Sequence, residues 1–208
     1  MIVVVAAWAL AGAAAGAVVR WGSVRLATAE ELDSSHSALV TLGPALLSAV
    51  LFAVFAARPW SDLTTMALDG AFVLVLVQVI FFDLEHGLIL DRVMLPAAVF
   101  ALAVSLLRHP WWAGAAAGIV AAGALLLLGA TGSLLARRDA LGLGDVKLAA
   151  FIGLMLGPER GAEAMVTGFI GAAAAAIGIS VWHRSLAGRI ALGPYLAAGA
   201  LIALYPIP

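Results

Sequence analysis

Two acidic segments hold the side chains of this chain best suited to chemistry. Gly142-Leu143-Gly144-Asp145-Val146-Lys147 sets a carboxylate and an ammonium in a glycine-bearing turn that opens a hydrophobic run. Asp83-Leu84-Glu85-His86, with Asp91 beyond it, closes an earlier run. Charge beside hydrocarbon is costly, so carboxylates placed there mark a candidate functional site. Two carboxylates brought to one membrane face by different helices would form an acid/base pair. They resist ionising together, so one keeps its proton while the other acts as base. Such a pair activates water against a peptide carbonyl while the protonated partner polarises that carbonyl, with no serine, cysteine or metal. Other schemes find less support. Cysteine is absent, Gly132-Ser133 lacks the flanking pattern of a nucleophile elbow, and His36, His86, His109 and His183 show no paired metal-ligand spacing.

Taken singly, these residues also have plainer roles open to them. Asp145 suits an N-cap, its side chain accepting from the first amides of the helix that follows; Gly142 and Gly144 then serve a tight turn. Asp83, Glu85 and His86 suit a solvated interfacial loop. Asp91 reads as the cap of the next helix, with Pro96 in its first turns. His86 lies three residues after Asp83, on the same helical face if the helix persists, and is either its partner or an interfacial polar group. Gln78, five residues before Asp83, points away from it and reads as a helix-packing residue. Asp69, fourteen residues before Asp83, lies roughly 21 Å away along a helix and reads as interfacial at the opposite surface.

The elements that must position these groups are membrane helices. Apolar residues make up 64% of the chain and charged ones 11%, against roughly 45–50% and about 25% in soluble domains. Apolar runs near the length of a bilayer crossing recur throughout and are continuous rather than alternating, which excludes a β-barrel. The fold expected is all-α and polytopic, with about eight spans at 2–19, 38–57, 65–82, 93–107, 111–135, 146–157, 163–182 and 190–206. The sixth is short enough for a half-helix or a tilted segment. No basic stretch precedes the first run, so it reads as a retained span and not a signal peptide. Residues 21–37 read as a short amphipathic or irregular loop. The expected organisation is an N-terminal two-helix region at 1–64 with a short cytoplasmic loop, followed by a core at 65–208. Of the eleven basic residues, Arg20, Arg25, Arg92, Arg137, Arg138, Lys147, Arg184 and Arg189 fall in loops on one side, leaving Arg58, Arg108 and Arg160 on the other. The positive-inside rule then sets the N-terminus outside, with Asp83 and Asp145 both at the cytoplasmic face. A net charge of −1 argues against a nucleic-acid partner.

With those residues in hand, the sequence closely resembles the type IV prepilin peptidases, intramembrane aspartyl proteases of the GxGD type. Gly142-Leu143-Gly144-Asp145 supplies the signature, extended by Val146-Lys147-Leu148. Asp83 to Asp91 resembles the family segment DLEHxxIPD, and Gly193-Pro194-Tyr195-Leu196-Ala197 resembles a motif near the family's C-terminus. The 62-residue separation of Asp83 and Asp145 is similar to that of the family's catalytic pair. The resemblance assigns catalysis to Asp83 and Asp145, with Gly142, Gly144, Lys147, Glu85 and His86 in support. It implies cleavage of prepilin or pseudopilin leaders, basic and followed by a hydrophobic helix, at the cytoplasmic face of the cell's inner membrane, with the lipid bilayer as the other partner and no cofactor or metal. A helix N-terminus favours negative charge, so Asp145 is the carboxylate expected ionised and Asp83 the one expected to hold the proton. Bifunctional members carry a cytoplasmic domain with two CxxC pairs and N-methylate their product. Here the matching loop is short and cysteine-free, so a peptidase without that activity, or with a reduced form of it, is expected. Leu90 stands where the family usually has proline. The rival reading is a transporter that uses the same acids as a proton or cation site.

Overall fold

Apolar composition and an absence of turn signals within each run dictate helices, and helices are what the computed structural model contains. It describes residues 2–33, 37–58, 62–136, 142–183 and 191–205. His36, Arg137, Arg138, Arg184 and Arg189 lie outside the described residues. Among the described residues there are seven helices and no strand: α1 (Ile2–Ala29), α2 (Ala38–Ala56), α3 (Leu63–His86), α4 (Asp91–Leu106), α5 (Ala113–Ala136), α6 (Leu143–His183) and α7 (Gly193–Leu204). Five contain segments long and apolar enough to cross a bilayer, in α1, α2, α3, α5 and α6. The protein is thus a polytopic helical membrane protein.

The chain forms two compact units, Met1–Gly87 and Leu88–Pro208. In the first, α1 approaches α2 through small residues: a Cβ added at Gly12 would fall 2.6 Å from the Ser48 carbonyl oxygen. Such close backbone approach is how helices associate where lipid supplies no hydrophobic drive. Phe52 fills the neighbouring space, its ring centroid 5.9 Å from that of Trp8. Helix α3 is the most buried of the spans, with Phe72, Leu76 and Val77 fully enclosed. Ser37 caps α2, its Oγ accepting from the Val40 amide at 3.4 Å, and Asp62 caps α3, accepting from the Thr65 amide at 3.0 Å. Helix α1 continues to Ala29, so residues 21–29 are helical and not the expected loop. Arg25 lies over the Trp21 ring one turn away, 4.2 Å from its centroid, which supports the extra turns.

In the second unit α6 packs against α4, α5 and α7. The expected sixth and seventh spans are the two arms of α6, bent at Gly157 (φ 78°, ψ −172°) and followed directly by Pro158. No loop intervenes, which is why seven helices stand where eight spans were expected. The first arm, residues 143–156, is about 21 Å long, shorter than a hydrocarbon core of about 30 Å. Carbonyls at such a break lose helical partners, and Arg108 Nη1 donates to one of them, Met155 O, at 2.8 Å. A cavity of about 410 Å³ lies between α5 and α6 beside the bend, bordered by Trp112, Leu125, Gly157 and Met165; Asp145 and Lys147 do not line it.

Candidate active site

Each acidic segment sits at the end of a helix. Helix α3 runs four residues past the expected end of its span, so Asp83, Glu85 and His86 are helical rather than part of a loop. It stops because Gly87 adopts the left-handed conformation (φ 65°, ψ 29°), a C-cap that glycine takes without strain. The Gly87 amide donates to the Asp83 carbonyl at 2.8 Å, which fixes the backbone of the carboxylate-bearing residue. Asp83 itself is only 6% exposed. It stands in the last turn, where the helix presents its negative end.

The neighbours of Asp83 along α3 face α1. Arg20 Nη1 donates to Glu85 Oε2 at 2.7 Å, and both side chains are nearly enclosed. Ser23 Oγ donates to Gln78 Oε1 at 2.8 Å, so Gln78 packs helix against helix as expected. The His86 ring stacks on Phe82 with centroids 4.4 Å apart. Its two ring nitrogens are buried and have no hydrogen-bond partner among the described residues, so it makes no bond to Asp83. Asp69 is buried within the protein, where Arg58 Nη2 donates to its Oδ2 at 2.8 Å. A guanidinium held against a carboxylate offsets the desolvation of both.

In the second unit Asp145 is the third residue of α6. The cap position belongs to Gly142, whose carbonyl accepts from the Asp145 amide at 3.2 Å and whose own amide faces the Asp145 carboxylate. This reach back from the third helical residue satisfies an otherwise orphaned amide at the helix start. Asp145 therefore secures the N-terminus of α6 from inside the helix and not from the N-cap. Gly144 does not have a positive φ. Gly144 is needed for space instead: a Cβ there would lie 2.9 Å from Ile89 Cβ, whereas at Gly142 the nearest atom would be Asp145 Oδ2 at 3.6 Å. Lys147 Nζ donates to Asp91 Oδ1 in a solvent-exposed ion pair. Asp91 is accordingly the first residue of α4 and not its cap. Leu90 takes the cap position at φ −77° and ψ 128° without a side-chain bond. That φ is close to the value a proline ring imposes, so Leu90 holds a backbone that proline could also adopt. Pro194 opens α7 near its first position, with Leu196 and Ala197 fully buried behind it.

Among the described residues no three His, Asp or Glu side chains gather as a metal-binding group. The model of the type IV leader peptidase family matches residues 70–181, a stretch that contains both acidic segments. The chain belongs to the type IV leader peptidase family. Membership makes it a membrane-embedded protease acting on prepilin-like substrates rather than a transporter. Helices α1, α2 and α7, with the Gly193–Ala197 motif, lie outside the matched stretch. Comparison with curated proteins and with solved structures found no match.

Sequence reasoning missed three features of this peptidase. Gly87 follows a last turn carrying histidine, which is a helix-stop signal available in the sequence. The Arg20–Glu85 pair had a weaker signal: a lone arginine at the end of one apolar run and a glutamate at the end of another. The Lys147–Asp91 pair had none, since Asp145 is nearer to Lys147 in sequence and draws it first.

Proposed function

We propose that this leader peptidase cleaves prepilin or pseudopilin leaders by an aspartate dyad of Asp83 and Asp145, with residues 65–208 as the catalytic core and 1–64 as an accessory two-helix region. The observation that carries the reading is the family match across both acidic segments, joined to the opposite helix ends on which the two carboxylates stand. The positive end of α6 favours an ionised Asp145, and the negative end of α3 favours a protonated Asp83. As base, Asp145 takes a proton from water while the oxygen attacks the scissile carbonyl carbon. Asp83 gives its proton to the carbonyl oxygen. The gem-diol then collapses: the C–N bond breaks, Asp145 returns its proton to the leaving nitrogen, and one hydroxyl proton goes back to Asp83. Each carboxyl ends in its starting state.

The same reading puts the N-terminus outside and the dyad at the cytoplasmic face of the inner membrane, supported by the distribution of basic residues. Glu85 and His86 support α3 through their contacts with Arg20 and Phe82. Gly142 and Gly144 support the Asp145 turn. Co-expression with a prepilin carrying a basic leader tests the proposal. Wild type is expected to trim the leader, and Asp83→Asn and Asp145→Asn to leave it intact. Continued trimming in both variants sinks the dyad.

A further inference from the structure

Lys147 occupies the fifth position of α6, close to the positive end of the helix, where the macrodipole opposes a cation. Helix stability does not account for a lysine there. At about 100° per residue, Lys147 leaves α6 roughly 200° around from Asp145, on nearly the opposite side. It reaches Asp91 instead, the first residue of α4. The lysine side chain is 42% exposed and the aspartate 56%, and ion pairs so open to solvent contribute only about 0–1 kcal/mol to folding. A second contact joins the same two segments. Ile89 lies against Gly144 so closely that no side chain fits between them. Residues 89–91 therefore grip α6 immediately before Asp145 and again two residues after it.

We infer that Asp91 and Lys147 are positioning residues for Asp145: their ion pair, acting with Ile89 on Gly144, holds the first turn of α6 so that the Asp145 carboxylate is presented in one direction. The inference rests on the reading of Asp145 as the base. Neither Asp91 nor Lys147 touches the reacting atoms in this scheme. Their effect is on geometry, where a displacement of about 1 Å costs up to 10²-fold in rate.

The test is a charge swap in the full-length protein in lipid nanodiscs, assayed with a purified prepilin-like protein bearing its leader. Asp91→Lys and Lys147→Asp are each expected to lower kcat on the order of tenfold or more, with KM within about twofold of wild type because the pair does not bind substrate. The double variant, with the pair reversed, is expected to recover kcat to within about threefold. A purely structural role would not give a kcat-only loss rescued by reversal. If either reversal fails to fold, Asp91→Asn and Lys147→Gln give the same comparison, with kcat falling and KM unchanged. The inference is overturned if the single reversals keep kcat within twofold, or if the double variant is no better than the singles. Asp145→Asn in the same assay separates the two ideas. Full activity there defeats Asp145 as base, whereas an inactive Asp145→Asn beside fully active reversals defeats only the positioning role.

Discussion

Replacing Gly157 by alanine isolates what the bend in α6 demands of the backbone. Gly157 sits at φ 78° and ψ −172°, a region essentially reserved for glycine, where an L side chain costs of order 1–3 kcal/mol. A Cβ added there would meet no atom within 4 Å, so crowding adds nothing to that figure. Alanine cannot escape by turning helical, because Pro158 follows and disfavours the α conformation in the residue before it. Gly123, inside α5, supplies the matched control. A methyl added there also has nothing within 4 Å, but the backbone is ordinary helix. At that position the same change is expected to stabilise by about 0.5–1 kcal/mol. One extra methyl in open space thus has opposite signs at two positions, separated by about 2.5–3 kcal/mol for strain in the middle of its range. Equilibrium unfolding of both variants in mixed micelles measures the difference. Equal effects, or a more stable Gly157→Ala, would refute the strained bend.

Other consequences are open to measurement. Glu85→Leu removes one partner of an enclosed ion pair and is expected to destabilise by about 3 kcal/mol, as is Arg20→Met, whereas the two changes together recover most of the loss; additive effects in that cycle would refute the coupling. Gly144→Val forces Ile89 aside and is expected to destabilise by about 1–3 kcal/mol. Gly142→Ala meets the Asp145 carboxyl and the Gly144 amide nitrogen at ordinary contact distances and should stay within about 0.5 kcal/mol of wild type, as unfolding curves will show. The Asp62 carboxyl, outside the spans, is held below its ordinary value by the Thr65 hydroxyl first and the Thr65 amide second. A depressed folded-state value means the cap contributes fully above the unfolded value and is lost as pH falls through the folded one. Protection of the amides at the start of α3, taken relative to their intrinsic exchange rates, should therefore fall below about pH 4 in wild type, and Asp62→Asn should remove that dependence.

Much of this protein is legible in its sequence because lipid leaves the backbone few choices. Apolar runs must be helices, and their approximate limits follow from turn residues. The ends of runs are harder to read where side chains from a distant segment prolong a helix. Residues 21–29 look polar enough for a loop, yet Ser23 is buried on Gln78 and α1 carries on. Residues 83–86 likewise resemble an interfacial loop until Arg20 closes on Glu85. Gly157 and Pro158 announce an interruption, but nothing local distinguishes a bend from a loop. The chemistry-bearing types, Asp83 and Asp145, stand out through their cost beside hydrocarbon and through the motifs around them. The partners that orient the neighbouring groups come from segments 56 to 65 residues away and are set by packing.

The central claim is that two carboxylates act as one unit, and single-turnover kinetics test it most directly. With the full-length protein in excess over a prepilin-like substrate, leader release is measured for wild type, Asp83→Asn, Asp145→Asn and the double variant. A dyad predicts that each single change lowers the rate by at least about 10²-fold, and that the double variant is scarcely worse than either, because groups acting together are not additive. A single variant within tenfold of wild type, or losses that multiply in the double variant, would contradict it.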